Sequence, residues 1–141
     1  MANARPEGVL RLATYNTEWF NALFDDDGRL LADDQRSARY KISRAEQLTA
    51  LGIVFTAMDA DGIMIIEAPD TGTRRSTVRA LETFAAHFGL RTSRAITGFI
   101  SETEQEIAFL YDPARIEATH KPLGAPPAHA DPKSVPRFDG V

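Results

Sequence analysis

A chain of 141 residues and 15.5 kDa has room for one ordinary domain and little more, and 43% hydrophobic with 26% charged residues is the composition of a folded protein. A net charge of −4 argues against a dedicated nucleic-acid coat, which needs a strongly basic face, yet leaves room for a local grip on one phosphate. The absence of cysteine excludes disulfide scaffolds, zinc–sulfur and iron–sulfur centres and thiol nucleophiles from this segment. Met1 to Gly8 is polar and lacks the apolar stretch of a signal peptide. No run approaches the roughly eighteen apolar residues of a membrane span, so a cytoplasmic protein without a membrane span is expected.

Val9 to Thr14, V-L-R-L-A-T, reads as a strand that ends at Tyr15-Asn16-Thr17-Glu18. Trp19 and Phe20 follow and read as core anchors rather than as a stacking platform. Asn21 to Tyr40 reads as a long loop with a short helical turn, carrying the acidic run Asp25-Asp26-Asp27-Gly28 and Asp33-Asp34. Placing Gly28 at the glycine of an EF-hand loop puts Leu23 at the first ligand position, so a solvated acidic loop is the better reading.

Ser43-Arg44-Ala45-Glu46 fits a capping box, and Ala45, Leu48, Leu51, Phe55 and Met58 recur at helical spacing. A helix to about Met58 is predicted, closed by Asp61-Gly62. The S-x-x-E pattern recurs at Ser101 to Glu104 with no apolar helical run behind it. Ile63 to Ile66 is continuously apolar, as in a strand buried on both faces, and stops at Glu67 before Pro69. Ser76 caps a second predicted helix to about Phe88, with Val78, Leu81, Phe84, Ala85 and Phe88 inward and Gly89 as its stop. Leu90 to Ile100 and Glu106 to Tyr111 read as an antiparallel hairpin closed by Tyr111-Asp112-Pro113. Five of the eight prolines fall between Pro122 and Pro136, a composition suited to a linker.

Strand, helix and buried strand in succession make a βαβ unit, whose strands are almost always parallel. The fold class expected is α/β, a mixed sheet with a βαβ start and a C-terminal hairpin, helices on one face. Both carboxyl ends of the parallel pair then lie at one sheet edge, where ligands of α/β proteins bind. Asn16 and Glu67 sit at those two ends. A carboxylate there is a hard oxygen ligand, and an amide beside it can donate to phosphate; the plainer alternatives are a turn-forming Asn and a solvated Glu. Glu18, two residues past Asn16, points the same way if the segment is extended, and would frame the site through water. Arg74 and Arg75 precede the second helix in the chain's one conspicuous basic stretch. They are candidate contacts for a substrate phosphate, against the plainer reading of solvated side chains by a capped helix. His87, near a helix C-terminus, suits a structural role, and His120 and His129 flank the proline-rich stretch.

V-L-R-L-A-T-Y-N-T-E-W-F resembles the first strand and Asn motif of the endonuclease/exonuclease/phosphatase superfamily, the DNase I-like fold. I-M-I-I-E-A-P-D resembles its second motif, and E-I-A-F-L-Y-D-P-A-R-I its later strand and turn. The resemblance covers about Leu10 to Ile116. It implies a hydrolase acting on phosphodiester or phosphomonoester bonds, a nuclease or a phosphatase. It gives Asn16 a catalytic place near the scissile phosphate and Glu67 the role of a direct Mg²⁺ or Mn²⁺ ligand. The family's Asn–His, Asp–Asn and terminal Asp–His motifs have no counterpart here. The resemblance therefore implies about half of a four-layer sandwich: residues 1–121 the N-terminal part of such a domain, 122–141 a Pro-rich loop leading to a C-terminal part. Such a fragment is expected to be inactive alone and to self-associate through an uncovered sheet face. The alternative is a non-catalytic α/β binding or interaction module.

Overall fold

The computed structural model describes residues 7–38, 41–71, 74–99 and 106–124. The second S-x-x-E segment, the hairpin connection, His129 and the stretch from 125 onward lie outside the described residues.

The chain forms a mixed α/β structure with strands β1 (Leu12–Asn16), β2 (Gly62–Ala68), β3 (Arg94–Thr97) and β4 (Glu106–Tyr111), and helices α1 (Arg44–Met58) and α2 (Thr77–His87). The sheet order is β1-β2-β4-β3. β1 and β2 are parallel, with Leu12 opposite Gly62 and Asn16 opposite Ile66; β4 is antiparallel to both β2 and β3. β1 starts three residues and ends two residues later than the sequence pattern predicts, so Asn16 is its last residue rather than just beyond it.

Both helices begin where their caps predict. Ser43 and Glu46 form the full reciprocal box, and the Ser76 side chain accepts from the Arg79 N–H. Leu48, Leu51 and Phe55 of α1 and Leu81, Phe84 and Ala85 of α2 pack with Ile63, Ile65, Ala108 and Leu110 in one core. Edge-to-face rings run from Tyr15 through Phe55 and Phe84 to Phe20 and Phe24. Gly52 lets α1 approach α2's end: a Cβ there would lie 2.3 Å from the Phe88 ring.

The expectation that β2 is buried on both faces is not met. Ile63 and Ile65 face the helices and are buried, whereas Met64 and Ile66 are each 39% exposed. They share their face with Leu12 and Ile107, at 63% and 55%. Phe109 and Tyr111 stack on the same side, and the Phe109 ring lies over Gly62. Both helices cover the opposite side, so among the described residues an apolar sheet face is left open.

At the amino edge of β2, Asp61 is fully buried and Arg91 binds the carboxylates of Asp59, Asp61 and Asp112 at 2.9, 3.3 and 2.9 Å. Arg115 reaches Asp61 at 3.0 Å, and the Arg11 N–H donates to it at 2.7 Å. A cavity of about 120 Å³ lined by Phe55, Asp59, Leu90 and Arg91 opens beside this cluster, at the edge away from Asn16 and Glu67.

The acidic loop is tied down rather than freely solvated. Asp25 accepts from the N–H groups of Asp27 and Arg29, and Asp33 holds Arg44 with two contacts, 2.8 and 2.6 Å. The Arg29 N–H holds the Asp25 carboxyl below the usual carboxylate range, the Arg44 guanidinium does the same for Asp33, and the Ser43 N–H for Glu46. A depressed carboxyl stabilises the fold above its unfolded pKa, 3.8 for Asp33, and loses that contribution as the pH falls through the lowered folded value. Asp33→Asn is therefore expected to unfold at lower urea than the parent at about pH 6, with the gap closing below about pH 4. A gap unchanged across that titration would contradict the pairing.

Candidate active site

The parallel pair delivers Asn16 and Glu67 to one point. The Asn16 Nδ2 donates to Glu67 Oε1 at 3.1 Å, and the Trp19 N–H points to Oε2 at 3.4 Å. The Glu18 N–H donates to Asn16 Oδ1 at 2.8 Å. That bond orients the amide, because a flipped group would set its oxygen against the carboxylate.

Glu67 occupies a bulge in β2, where the pairing with β4 jumps from Ile66–Ile107 to Ala68–Glu106. Its φ is +59°, left-handed for a non-glycine residue, and Glu18 and Trp19 follow suit at +45° and +59°. Such a conformation costs about 1–2 kcal/mol per residue. Three at one edge are held by their surroundings. Thr17, buried and donating to the carbonyls of Ile66 and Glu67 at 3.1 and 2.9 Å, clamps the two strand ends together. Below the bulge, Asn21 Oδ1 accepts from the Asp70 N–H, and Thr77 donates to the Pro69 carbonyl at 2.6 Å.

The expected extended path from Asn16 to Glu18 is not seen. Because Glu18 turns left-handed, it contributes its backbone N–H to the amide rather than a side chain placed in register with Asn16. Trp19 is not a core anchor: it is 46% exposed, whereas Phe20 is fully buried. Arg75 braces the loop after β2, donating to the carbonyls of Asp70 and Phe24 at 2.9 and 3.5 Å. Arg74 is exposed and lies 3.8 Å from Asp27. Neither arginine meets Asn16 or Glu67 among the described contacts. His87 is exposed at the end of α2, against Phe88. His120 returns to the carboxyl end of β3, its ring edge-on to Phe99, two strands from β2.

Sequence reasoning missed Thr17 and the buried Glu106, which pairs with Ala68 across the bulge. A polar residue heading an otherwise apolar strand was the signal for Glu106. Thr17 gave none, since a threonine after a strand is usually a turn residue.

Among the described residues no lysine or arginine approaches the Glu67 carboxylate, whose partners are the neutral Asn16 amide and Trp19 N–H. Its negative charge is thus oriented but not cancelled. No group of three or more acidic, histidine or cysteine side chains converges on a common ion position among the described residues. An ion here would take one protein carboxylate and fill its other positions with water and substrate, the habit of Mg²⁺. No family model matches the chain, and no curated protein or solved structure matches it.

The left-handed bulge yields a measurable ordering. Glu67→Gly is expected to be more stable than Glu67→Ala by about 1 kcal/mol in urea unfolding, since both lose the carboxylate and only alanine keeps the strain. An alanine variant equal to or more stable than the glycine variant would contradict the bulge geometry.

Proposed function

We propose that Asn16 and Glu67 form one side of a metal-dependent phosphoesterase site, in a chain of the endonuclease/exonuclease/phosphatase superfamily. The observation that carries the reading is the Asn16–Glu67 contact of 3.1 Å at the carboxyl edge of the parallel pair. A carboxylate steered by neutral donors suits a divalent cation, and Mg²⁺ or Mn²⁺ fits it. When bound, such an ion supplies charge stabilisation for the phosphoryl and leaving oxygens. Asn16 holds Glu67 with one amide hydrogen and has the second to donate to a phosphate oxygen. Thr17 and the Glu18 N–H keep both groups in place. The substrate is a phosphate ester, nucleic acid or small molecule.

The open apolar face supports the architectural half of this reading. Leu12, Met64, Ile66 and Ile107 lie where a second sheet would pack in a four-layer sandwich. In this arrangement the group activating water comes from that second layer, and the 141-residue chain alone has negligible hydrolytic activity. The same face also favours a second reading, a non-catalytic interaction module whose partner covers the sheet. The two differ at Glu67: the module needs no cation there.

Mn²⁺ added to the purified chain is expected to lose its free-ion electron paramagnetic resonance signal in proportion to one bound equivalent. Glu67→Gln should weaken that binding at least tenfold, and Asn16→Ala by less. Binding unaffected by Glu67→Gln, or none at all, would favour the interaction module.

A further inference from the structure

We infer that Trp19 sets substrate specificity at this site, its indole forming a stacking wall for a planar group attached to the bound phosphate ester; the inference rests on the phosphoesterase reading above. Burial alone does not explain the position of this residue. Tryptophan carries the largest apolar surface of any side chain, yet Trp19 is 46% exposed beside a completely buried Phe20. Phe20, Phe24, Phe55, Phe84 and Phe88 join in one series of ring contacts, while the indole meets no other ring among the described residues.

The backbone arranges this division. Left-handed turns at Glu18 and Trp19 send Phe20 inward and leave the indole outside, although a bulky residue rarely adopts a positive φ. The Trp19 N–H, 3.4 Å from Glu67 Oε2, anchors that residue to the carboxylate proposed to hold the ion. The backbone of Trp19 is therefore tethered to the rim of the proposed phosphate position, with its indole exposed there. An aromatic face accepts any planar ring, so the class selected is phosphate esters bearing a nucleobase or aryl group rather than bare sugar or alkyl phosphates.

The chain has one tryptophan, so its emission reports on position 19 alone. With Mg²⁺ present, uridine 5′-monophosphate and ribose 5-phosphate share the sugar and phosphate and differ by the base. The nucleotide is expected to quench Trp19 saturably and to bind about tenfold more tightly than ribose 5-phosphate, the scale of one base stacked on an aromatic ring. Phosphorus NMR titration of Trp19→Ala should show equal affinities, with part of the preference kept by Trp19→Phe. Equal affinities in the parent chain, both lost in Glu67→Gln, would overturn the stacking role and leave the phosphoesterase reading standing. A base preference that survives Trp19→Ala would also overturn it. Failure of both phosphates to bind would sink the reading and the inference together.

Discussion

The parallel register of β1 with β2 is the constraint on which the rest depends. Ladder pairs from Leu12–Gly62 to Asn16–Ile66 bring two segments some fifty residues apart to a common edge, and α1 spans the distance between them. Shifting β1 by one residue against β2 would turn Leu12 and Asn16 toward the helices and send Ala13 and Tyr15 away from the core. Hydrophobic burial on one face thus determines where the polar groups of the carboxyl edge emerge. The bulge at Glu67 completes the arrangement by breaking the alternation of the strand at the carboxylate that meets Asn16.

Backbone strain and the proposed site meet at that edge. Glu18, Trp19 and Glu67 are all left-handed, and the hydrogen bonds that hold them also orient the amide and the carboxylate. A glycine at position 67 would relax the backbone and remove the carboxylate that meets Asn16. The opposite edge has another character: Asp61, Arg91, Arg115 and Asp112 satisfy one another. Its charges are neutralised by contact, whereas the Glu67 charge is only directed. That contrast is the physical reason for placing chemistry at the carboxyl edge.

Much of the fold could be read from local signals. The two N-caps at Ser43 and Ser76, the span of β4 and the convergence of Asn16 with Glu67 follow from capping chemistry, apolar runs and the βαβ rule. What escaped reading depends on contacts distant in sequence. Ile63 to Ile66 has the same apolar run whether or not a second layer covers it, so the open face at Met64 and Ile66 is invisible in the string. Trp19 and Phe20 are neighbours of similar hydrophobicity, and only the left-handed turns decide which enters the core. Asp61 reads as a turn residue because its partners Arg91 and Arg115 lie far along the chain.

The proposed divalent-ion position is the Asn16–Glu67 contact, rather than the acidic loop that carries more negative charge. Paramagnetic mapping tests it most directly: amide signals of the ¹⁵N-labelled chain are followed as substoichiometric Mn²⁺ is added. Broadening is expected to begin at Asn16 to Trp19 and Ile66 to Ala68 and to disappear from them in Glu67→Gln. Broadening that begins at Asp25 to Asp34 and leaves the strand ends sharp would contradict it.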